Sequence, residues 1–514
     1  MRKKNILDAT FLFFLGAVSS LSLPPLNFFL LNFISFSAFF AFLFKRLNSK
    51  PSKKFFFFYG WLFGLGYFLT NLYWITISLT FDQNFTFLIP IALVLIPSFL
   101  SLFYGLVSLV FYLFKLRNII SAFFLFSLLF GITEFIRGHI LTGFPWNLIV
   151  YSLSENIKFI SFISLVGTYS FNLLMISFFS APAIYILRRS KKEIILSALL
   201  LLMPILFFSY SSFHKQEFLK TESKKNPYIV RIIGSNISLD RFYSNTQAEF
   251  VIDELIKISN PTENEKILFL WPEGIIPGVY QNELELYNDK FINNFNDNHL
   301  IGLGITKKLK DKEDFKYFNS FSLFDNKLNL IQSYEKNNLV PFGEFLPLEK
   351  QMQKFGFKTI TNNFGSFTKG NSRDIIVIRN DVHKLEFLPL ICYEIIYSGN
   401  LTKNHDFDFI LNISEDGWFG KSIGPKQHFV HSIFRAIETG KYVVRTANNG
   451  MAAIINPLGE IEEKIDYGEV GFVDFKERRD IGPTFFSLYG NKIFAFLILL
   501  YIFLIFSFNR IKNE

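Results

Sequence analysis

Cysteine is almost missing from this chain: Cys392 is a single thiol in 514 residues. One thiol cannot form an intrachain disulfide, so covalent stapling of the fold is excluded. Charge is scarce as well, at 18% of residues against about 25% in an ordinary soluble domain. Half of the residues are hydrophobic, which places the chain outside the ordinary soluble class. The net charge of +9 would by itself suggest nucleic acid. Much of that charge, however, falls in short clusters between apolar runs, a membrane pattern that argues against a nucleic-acid partner. Phosphate-cradling loops are missing too: "GLGYF" and "IGLGIT" hold glycine pairs without the full pattern. No internal repeat of fixed period and no long disordered tail is evident.

Apolar sequence is abundant, with 69 Phe that partly reflect a compositional bias of the source. Eight runs read as membrane-spanning helices: 6–23, 28–44, 55–77, 88–114, 119–135, 159–187, 194–210 and 493–508. The first run ends at Leu23-Pro24-Pro25, a turn rather than the small-residue cleavage site of a signal peptide. The basic clusters alternate with the runs. Arg2, Lys3 and Lys4, then Lys45, Arg46, Lys50, Lys53 and Lys54, then Lys115 and Arg117, then Arg188, Arg189, Lys191 and Lys192, and finally Arg510 and Lys512 all fall on one side. Loops around Pro24 and Asp82 on the other side are nearly free of Lys and Arg. The positive-inside rule then places both termini in the cytoplasm and the long segment before the last run outside it.

That segment has a different composition. The expected division is a membrane domain over 1–211 with seven helices, a periplasmic domain over 212–490, and an eighth helix with a cytoplasmic tail over 491–514. "YIVRIIGSN", "EKILFLWPEG", "LIGLGIT", "LEFLPLICYE" and "FDFILNIS" read as buried strands by length and Val/Ile/Leu/Phe content. "HFVHSIFRAIETG" (428–440) reads as a helix closed by Gly440. "KYVVRTANNGMAAIINPLGEIEEK" reads as two strands, a turn at Asn456-Pro457-Leu458-Gly459, and a third strand. Strands alternating with helices indicate an α/β domain.

A lone cysteine is more often a small buried hydrophobe than a reactive group. Its surroundings can change that reading. "LFLWPEG" ends a strand near Glu273, "LPLICYE" ends one at Cys392, and "YEKNNLVPFGEFLP" between them carries Lys336 and Glu344. A carboxylate can take a thiol's proton, and an ammonium can hold charge developing on an acyl oxygen. Spacing alone leaves open whether these groups converge or form a set of surface charges. His428 and His431 stand three residues apart with no carboxylate in ligand spacing, so structural roles are favoured and no metal or cofactor is expected. Glu134 and Arg137, one turn apart near a membrane face, read as a functional pair or as a mutual salt bridge.

The succession W-P-E, E-K-x-x-L-V-P-F-G-E and C-Y-E resembles the carbon–nitrogen hydrolase (nitrilase) superfamily, with its Glu-Lys-Cys triad. The chain as a whole resembles the membrane-embedded branch, the bacterial apolipoprotein N-acyltransferase family. "GWLFGLGYFLTNLYWITISL" (60–79), "EFIRGHILTGFPWN" (134–147), "DGWFG" (416–420), "PKQHFVHSIFRAIETGKYVVRTANNG" (425–450) and "LYG" (488–490) follow its order. The resemblance implies eight transmembrane helices plus an extracytoplasmic α/β domain of α-β-β-α sandwich form, in the bacterial inner membrane. It implies Glu273 as general base, Lys336 as oxyanion stabiliser and Cys392 as nucleophile. It makes Glu344 a second carboxylate that orients Lys336 or the thiol. Tyr393 and Glu394 would shape the pocket, with the Tyr393 N–H a candidate oxyanion donor. The implied reaction moves an acyl chain from a glycerophospholipid, through a Cys392 thioester, to the α-amino group of a diacylglyceryl-cysteine on an apolipoprotein. The sequence departs from the family pattern twice: Arg241-Phe242 stands where a tryptophan is expected, and Glu415 where Asn is common. Two other classes compete, a membrane-anchored amidase of the same superfamily and a transporter. Paired broken helices and midplane ions, which a transporter needs, are not clearly present.

Overall fold

The structure is a computed structural model. It describes residues 2–49, 52–243, 246–311, 314–354, 365–379, 384–399, 401–402 and 404–510. Lys50 and Lys512 of the basic clusters lie outside these residues, as do the side chains of Arg2, Lys3 and Lys4. The chain forms two compact units, Met1–Lys215 with Thr484–Glu514, and Gln216–Pro483.

The first unit is helical. Most of each apolar run of the sequence lies on helix: Arg2–Ser20, Leu31–Leu47, Lys53–Leu72, Ile89–Phe114, Ile119–Arg137, Ile163–Leu187 with a break at Gly167, the consecutive pair Lys191–Leu201 and Met203–Lys220, and Lys492–Arg510. Among the described residues, six segments are long and apolar enough to cross a membrane, and Asn5–Ser20 is a shorter apolar helix. Close packing holds the unit together, as it must where lipid offers no hydrophobic drive between helices. A Cβ at Gly16 would overlap the Phe63 carbonyl, so glycine lets Arg2–Ser20 lie directly against Lys53–Leu72. Phe39 stacks on Phe63 at 4.3 Å, and Phe126 and Phe130 close on Phe39 edgewise. The phenylalanine run at 55–58 divides by face: Phe56 is buried, whereas Phe55 and Phe58 are exposed. Glu134 and Arg137 form a buried ion pair, Nε to Oε2 at 2.8 Å, and the Tyr104 hydroxyl donates to the other carboxylate oxygen at 2.6 Å. Of the two sequence readings of this pair, the salt bridge is the one observed.

The second unit is α/β. Its strands are β1 (Ser223–Ser235), β2 (Ile267–Leu270), β3 (His299–Asp311), β4 (Asp314–Asp325), β5 (Leu330–Glu335), β6 (Ile376–Arg379), β7 (Lys384–Ile391), β8 (Phe409–Glu415), β9 (Tyr442–Asn448), β10 (Ala452–Ile455), β11 (Ile461–Ile465) and β12 (Gly471–Arg479). They join in the order β5-β4-β3-β2-β1-β9-β8-β7-β6, with β10 beside β9, β11 beside β10 and β12 beside β1. The pairs β3–β2, β2–β1, β1–β9, β9–β8 and β8–β7 are parallel. The sheet folds back until β4 and β5 face β6 and β7, so that it is nearly closed around its own core.

The alternation of side chains along a strand builds that core. Val230 and Ile232 of β1 face inward with Leu268, Leu270, Phe321, Phe387, Leu411 and Val444. Ile233, with Phe269, Ile301 and Leu303, faces the other way and packs on Val251, Ile252, Leu255 and Phe291 from the helices Ala248–Ser259 and Asn288–Asn294. A third helix, Gly424–Thr439, lies against β9 and the turn after β7, and ends at Gly440 with φ 69°. All five strands read from apolar runs are present. The turn at Asn456–Gly459 is also there, closed by the Gly459 amide on the Asn456 carbonyl at 2.8 Å.

Candidate active site

A run of parallel strands delivers its C-terminal ends to one edge, where the residues just past each strand are free of sheet pairing and can serve a site. Glu273 comes after β2, Glu415 ends β8, Asn448 ends β9 and Cys392 comes after β7. Strand β5 is antiparallel to β4, which is antiparallel to β3, so it points the same way and brings Lys336 to that edge. Beside Glu273, β3 carries Gly304, where a Cβ would lie 2.5 Å from the Glu273 Cα. Only glycine allows that approach.

Lys336 Nζ lies 2.9 Å from Glu344 Oε1 and 3.2 Å from Glu273 Oε1. Asn319, from β4, donates its amide to the same two oxygens, at 2.7 Å and 2.8 Å. The second oxygen of Glu344 accepts the Val340 N–H at 2.8 Å, and that of Glu273 accepts the Glu415 N–H at 3.1 Å. All three charged side chains are buried. Burial would pull the Lys336 ammonium down, but Glu273 and Glu344 outweigh it and hold the ammonium above its ordinary value. Glu344 is pushed up by burial, against the pull of Lys336. The lysine is therefore a fixed positive charge between two carboxylates.

Cys392 has φ 48°, in the left-handed region that a side chain with a Cβ seldom occupies. Strain of this kind is held where surrounding contacts over-determine it. Here the Cys392 carbonyl lies 3.2 Å from His428 Nε2, and His428 Nδ1 is 2.8 Å from Asp416 Oδ1. Arg445 donates to the other Asp416 oxygen at 2.7 Å and also bonds Asn412. Burial would raise the Asp416 carboxyl, yet Arg445 and His428 hold it down at about 2. Burial pushes the Cys392 thiol well above its ordinary value, the Glu273 charge pushes it further, and Lys336 opposes both. The resting thiol is neutral, so a base would have to take its proton for the sulfur to act as a nucleophile.

Glu273, Lys336 and Glu344 are in direct contact, and Cys392 lies near enough for the charges of Glu273 and Lys336 to act on its thiol. Tyr393 comes directly after Cys392 and is buried, its ring edge-on to Tyr397. Glu394 does something more specific than shape a pocket. It accepts the Tyr334 hydroxyl at 2.8 Å and the amides of Asn337, Asn338 and Ile391 at 2.9, 3.0 and 2.9 Å. It thereby ties the turn after β7 to the segment carrying Lys336. Asn319, the Asp416–His428–Arg445 network and the Arg241–Glu415 ion pair were not legible as site groups. His428 serves through the Cys392 carbonyl, and among the described residues no group of His, Cys, Asp and Glu is placed to hold a metal ion. A neutral thiol, a carboxylate base and a fixed ammonium can together perform acyl transfer through a thioester.

Comparison with known proteins gives the same two parts. The model of the apolipoprotein N-acyltransferase N-terminal domain matches residues 15–181, and that of carbon-nitrogen hydrolase matches 234–473. An apolipoprotein N-acyltransferase of Agrobacterium fabrum is 31% identical, the match covering 97% of this chain and 96% of that protein. One from Rickettsia bellii is 32% identical, covering 87% of each. A solved amidase from Nesterenkonia sp. AN1 is 12% identical with a TM-score of 0.35, covering 52% of this chain and 94% of its own.

Proposed function

We propose a reaction for a chain that belongs to the apolipoprotein N-acyltransferase family: transfer of a glycerophospholipid acyl chain to the α-amine of a diacylglyceryl-cysteine at an apolipoprotein N-terminus, in lipoprotein maturation. The observation that carries it is the Glu273–Lys336–Glu344 cluster beside the one thiol of the chain. Cys392 Sγ attacks the ester carbonyl as its proton passes to Glu273. Lys336 Nζ and the Tyr393 N–H receive the developing oxyanion. The C–O bond breaks, the leaving lysophospholipid oxygen takes the proton from Glu273, and a thioester remains. The acceptor amine then attacks the thioester, yields its proton to Glu273, and the C–S bond breaks as the sulfur is reprotonated. Burial of Cys392 limits competing hydrolysis.

Phospholipid alone should therefore add an acyl mass to Cys392 and release lysophospholipid before any acceptor is present. Hydroxylamine should remove that mass. A diacylated lipopeptide with a free α-amine should collect the acyl group, and its N-acetylated form should not. Intact-protein mass spectrometry decides the matter: no added mass on folded enzyme would refute the thioester. The amidase alternative is not favoured, because the relatives that match along the whole chain are named acyltransferases and the N-terminal domain matches as well.

In this reading eight spans cross the bacterial inner membrane, with both termini cytoplasmic and the Gln216–Pro483 unit periplasmic. Single cysteines at the exposed positions Ser52 and Lys327, in a Cys392→Ala background, test it. An impermeant maleimide applied from the periplasmic side should label position 327 and spare 52. Equal labelling of both, or labelling of 52 alone, would overturn the topology.

A further inference from the structure

Arg241 and Glu415, from the two stretches where the sequence departs from the family pattern, touch each other. Arg241 Nη2 donates to Glu415 Oε2 at 2.5 Å, with the two side chains 1% and 2% exposed and the residues 174 apart in the chain. We propose that Arg241 and Glu415 are a positioning pair that fixes the Glu273 carboxylate for proton transfer, an inference that rests on the acyl-transfer reading above.

Arg241 Nε donates to the Ile275 carbonyl at 3.0 Å, two residues beyond Glu273, and Nη1 donates to the Ser238 carbonyl at 3.0 Å. One guanidinium thus fastens the segments that lie just past β1, β2 and β8. Its planar fork suits this task, which a lysine could not perform. Glu415 is held from the other side by Asn448 Nδ2 at 2.6 Å, the Gly417 N–H at 2.9 Å and Asn449 Nδ2 at 3.2 Å. With its side chain anchored at both oxygens, Glu415 presents its own N–H to Glu273 Oε2 at 3.1 Å. Lys336 and Asn319 hold the opposite oxygen. The Glu273 carboxylate is therefore gripped at both oxygens and cannot swing, and the grip on one of them depends on the Arg241–Glu415 pair. The other charged groups nearby are engaged elsewhere: Asp416 with Arg445 and His428, and Glu344 with Lys336. Burial pushes the Glu415 carboxyl up while Arg241 opposes it, so removing the guanidinium alone would leave a buried acid without its partner.

The test uses the full-length protein in detergent or nanodiscs, as wild type, Glu415→Gln, and the double variant Arg241→Met/Glu415→Gln. Thermal melting and the single-turnover rate of Cys392 acylation are measured against phospholipid concentration and pH. The double variant carries no unpaired buried charge and should melt near wild type, yet acylate about 10–100-fold more slowly, with the half-saturating lipid concentration unchanged within about twofold. A double variant with wild-type stability and wild-type rate would reduce the pair to a fold element and overturn the proposal, as would a loss confined to lipid half-saturation. If the double variant does not fold, Glu415→Gln decides: an unchanged acylation rate in that folded variant also overturns it. Failure of the wild type to take acyl from phospholipid would sink the acyl-transfer reading instead. The pair then stands or falls on the pH dependence of Cys392 alkylation by iodoacetamide, where a double-variant profile superimposable on wild type would refute it.

Discussion

Cys392→Ala should abolish acyl-enzyme formation, and Glu273→Gln and Lys336→Met should each lower it by on the order of 10⁴-fold. Each group lacks a substitute. The thiol is the chain's one cysteine, and it rests neutral, so without a base its sulfur remains a poor nucleophile. Lys336 is the cation wedged between Glu273 and Glu344, and no water-screened surface charge could replace a donor fixed in a buried site. Groups that act as a unit fail as a unit, so Glu273→Gln/Lys336→Met should be scarcely slower than either single change. Glu273→Gln also separates charge from proton transfer. The Glu273 charge helps hold the thiol up, so its removal should shift Cys392 alkylation by iodoacetamide to lower pH while acyl transfer collapses. Because one thiol is present, the alkylation reads one site. Near-normal acylation in Cys392→Ala, or an additive loss in the double variant, would remove the triad from the mechanism.

Glu273 and Cys392 were legible because each stands just past a strongly apolar strand, whereas Lys336 follows the mixed strand β5 and Glu344 lies in the loop after it. "LFLW" and "LPLI" are runs that suit a parallel strand covered on both faces, and the residues just past such a strand emerge at the sheet edge. Their assignment to one reaction came from the order of motifs, since spacing alone could not say that β2, β5 and β7 end together. Asn319 escaped notice because β4 mixes polar and aromatic residues in "DFKYFNSFSLFD", a weak strand signal, and its partner groups lie on other segments. Glu394 was placed beside Cys392 by sequence, but its bonds to Tyr334, Asn337 and Asn338 run 56–60 residues back along the chain. Arg241 and Glu415 looked like two unrelated departures. Only the adjacency of the loops after β1 and β8 makes them one ion pair, and long-range adjacency is set by topology rather than by local pattern. In the helical unit, hydropathy located the long apolar helices but read 194–210 as one run where the structure has two helices, while the Glu134–Arg137–Tyr104 network shows why one charged pair is tolerated there: each charge is satisfied by the other, and the carboxylate also by a buried hydroxyl.

Lys336→Met should also change how stability depends on pH. In the wild type the ammonium is held above its ordinary value, so its contribution is fully present below about pH 10.5 and is lost only as pH rises through the higher folded value. Across the neutral range it is constant. The variant leaves Glu273 and Glu344 sharing a buried site with no cation. Glu344 is already raised by burial from 4.5, and Lys336 is the main force opposing that rise. Without it, the folded state binds protons that the unfolded chain releases, so stability falls as pH climbs from the ordinary carboxylate range to the new folded value. The variant should melt close to wild type near about pH 5, where the carboxyls can be neutral, and should lose about 3–5 kcal/mol relative to wild type by about pH 8. Adding Glu344→Gln should remove most of that slope, because one carboxylate alone has no like-charged neighbour to repel. Melting of wild type, single and double variants in the same detergent at three pH values gives the answer. A pH-independent difference between Lys336→Met and wild type would mean that the two carboxylates do not share the lysine's charge.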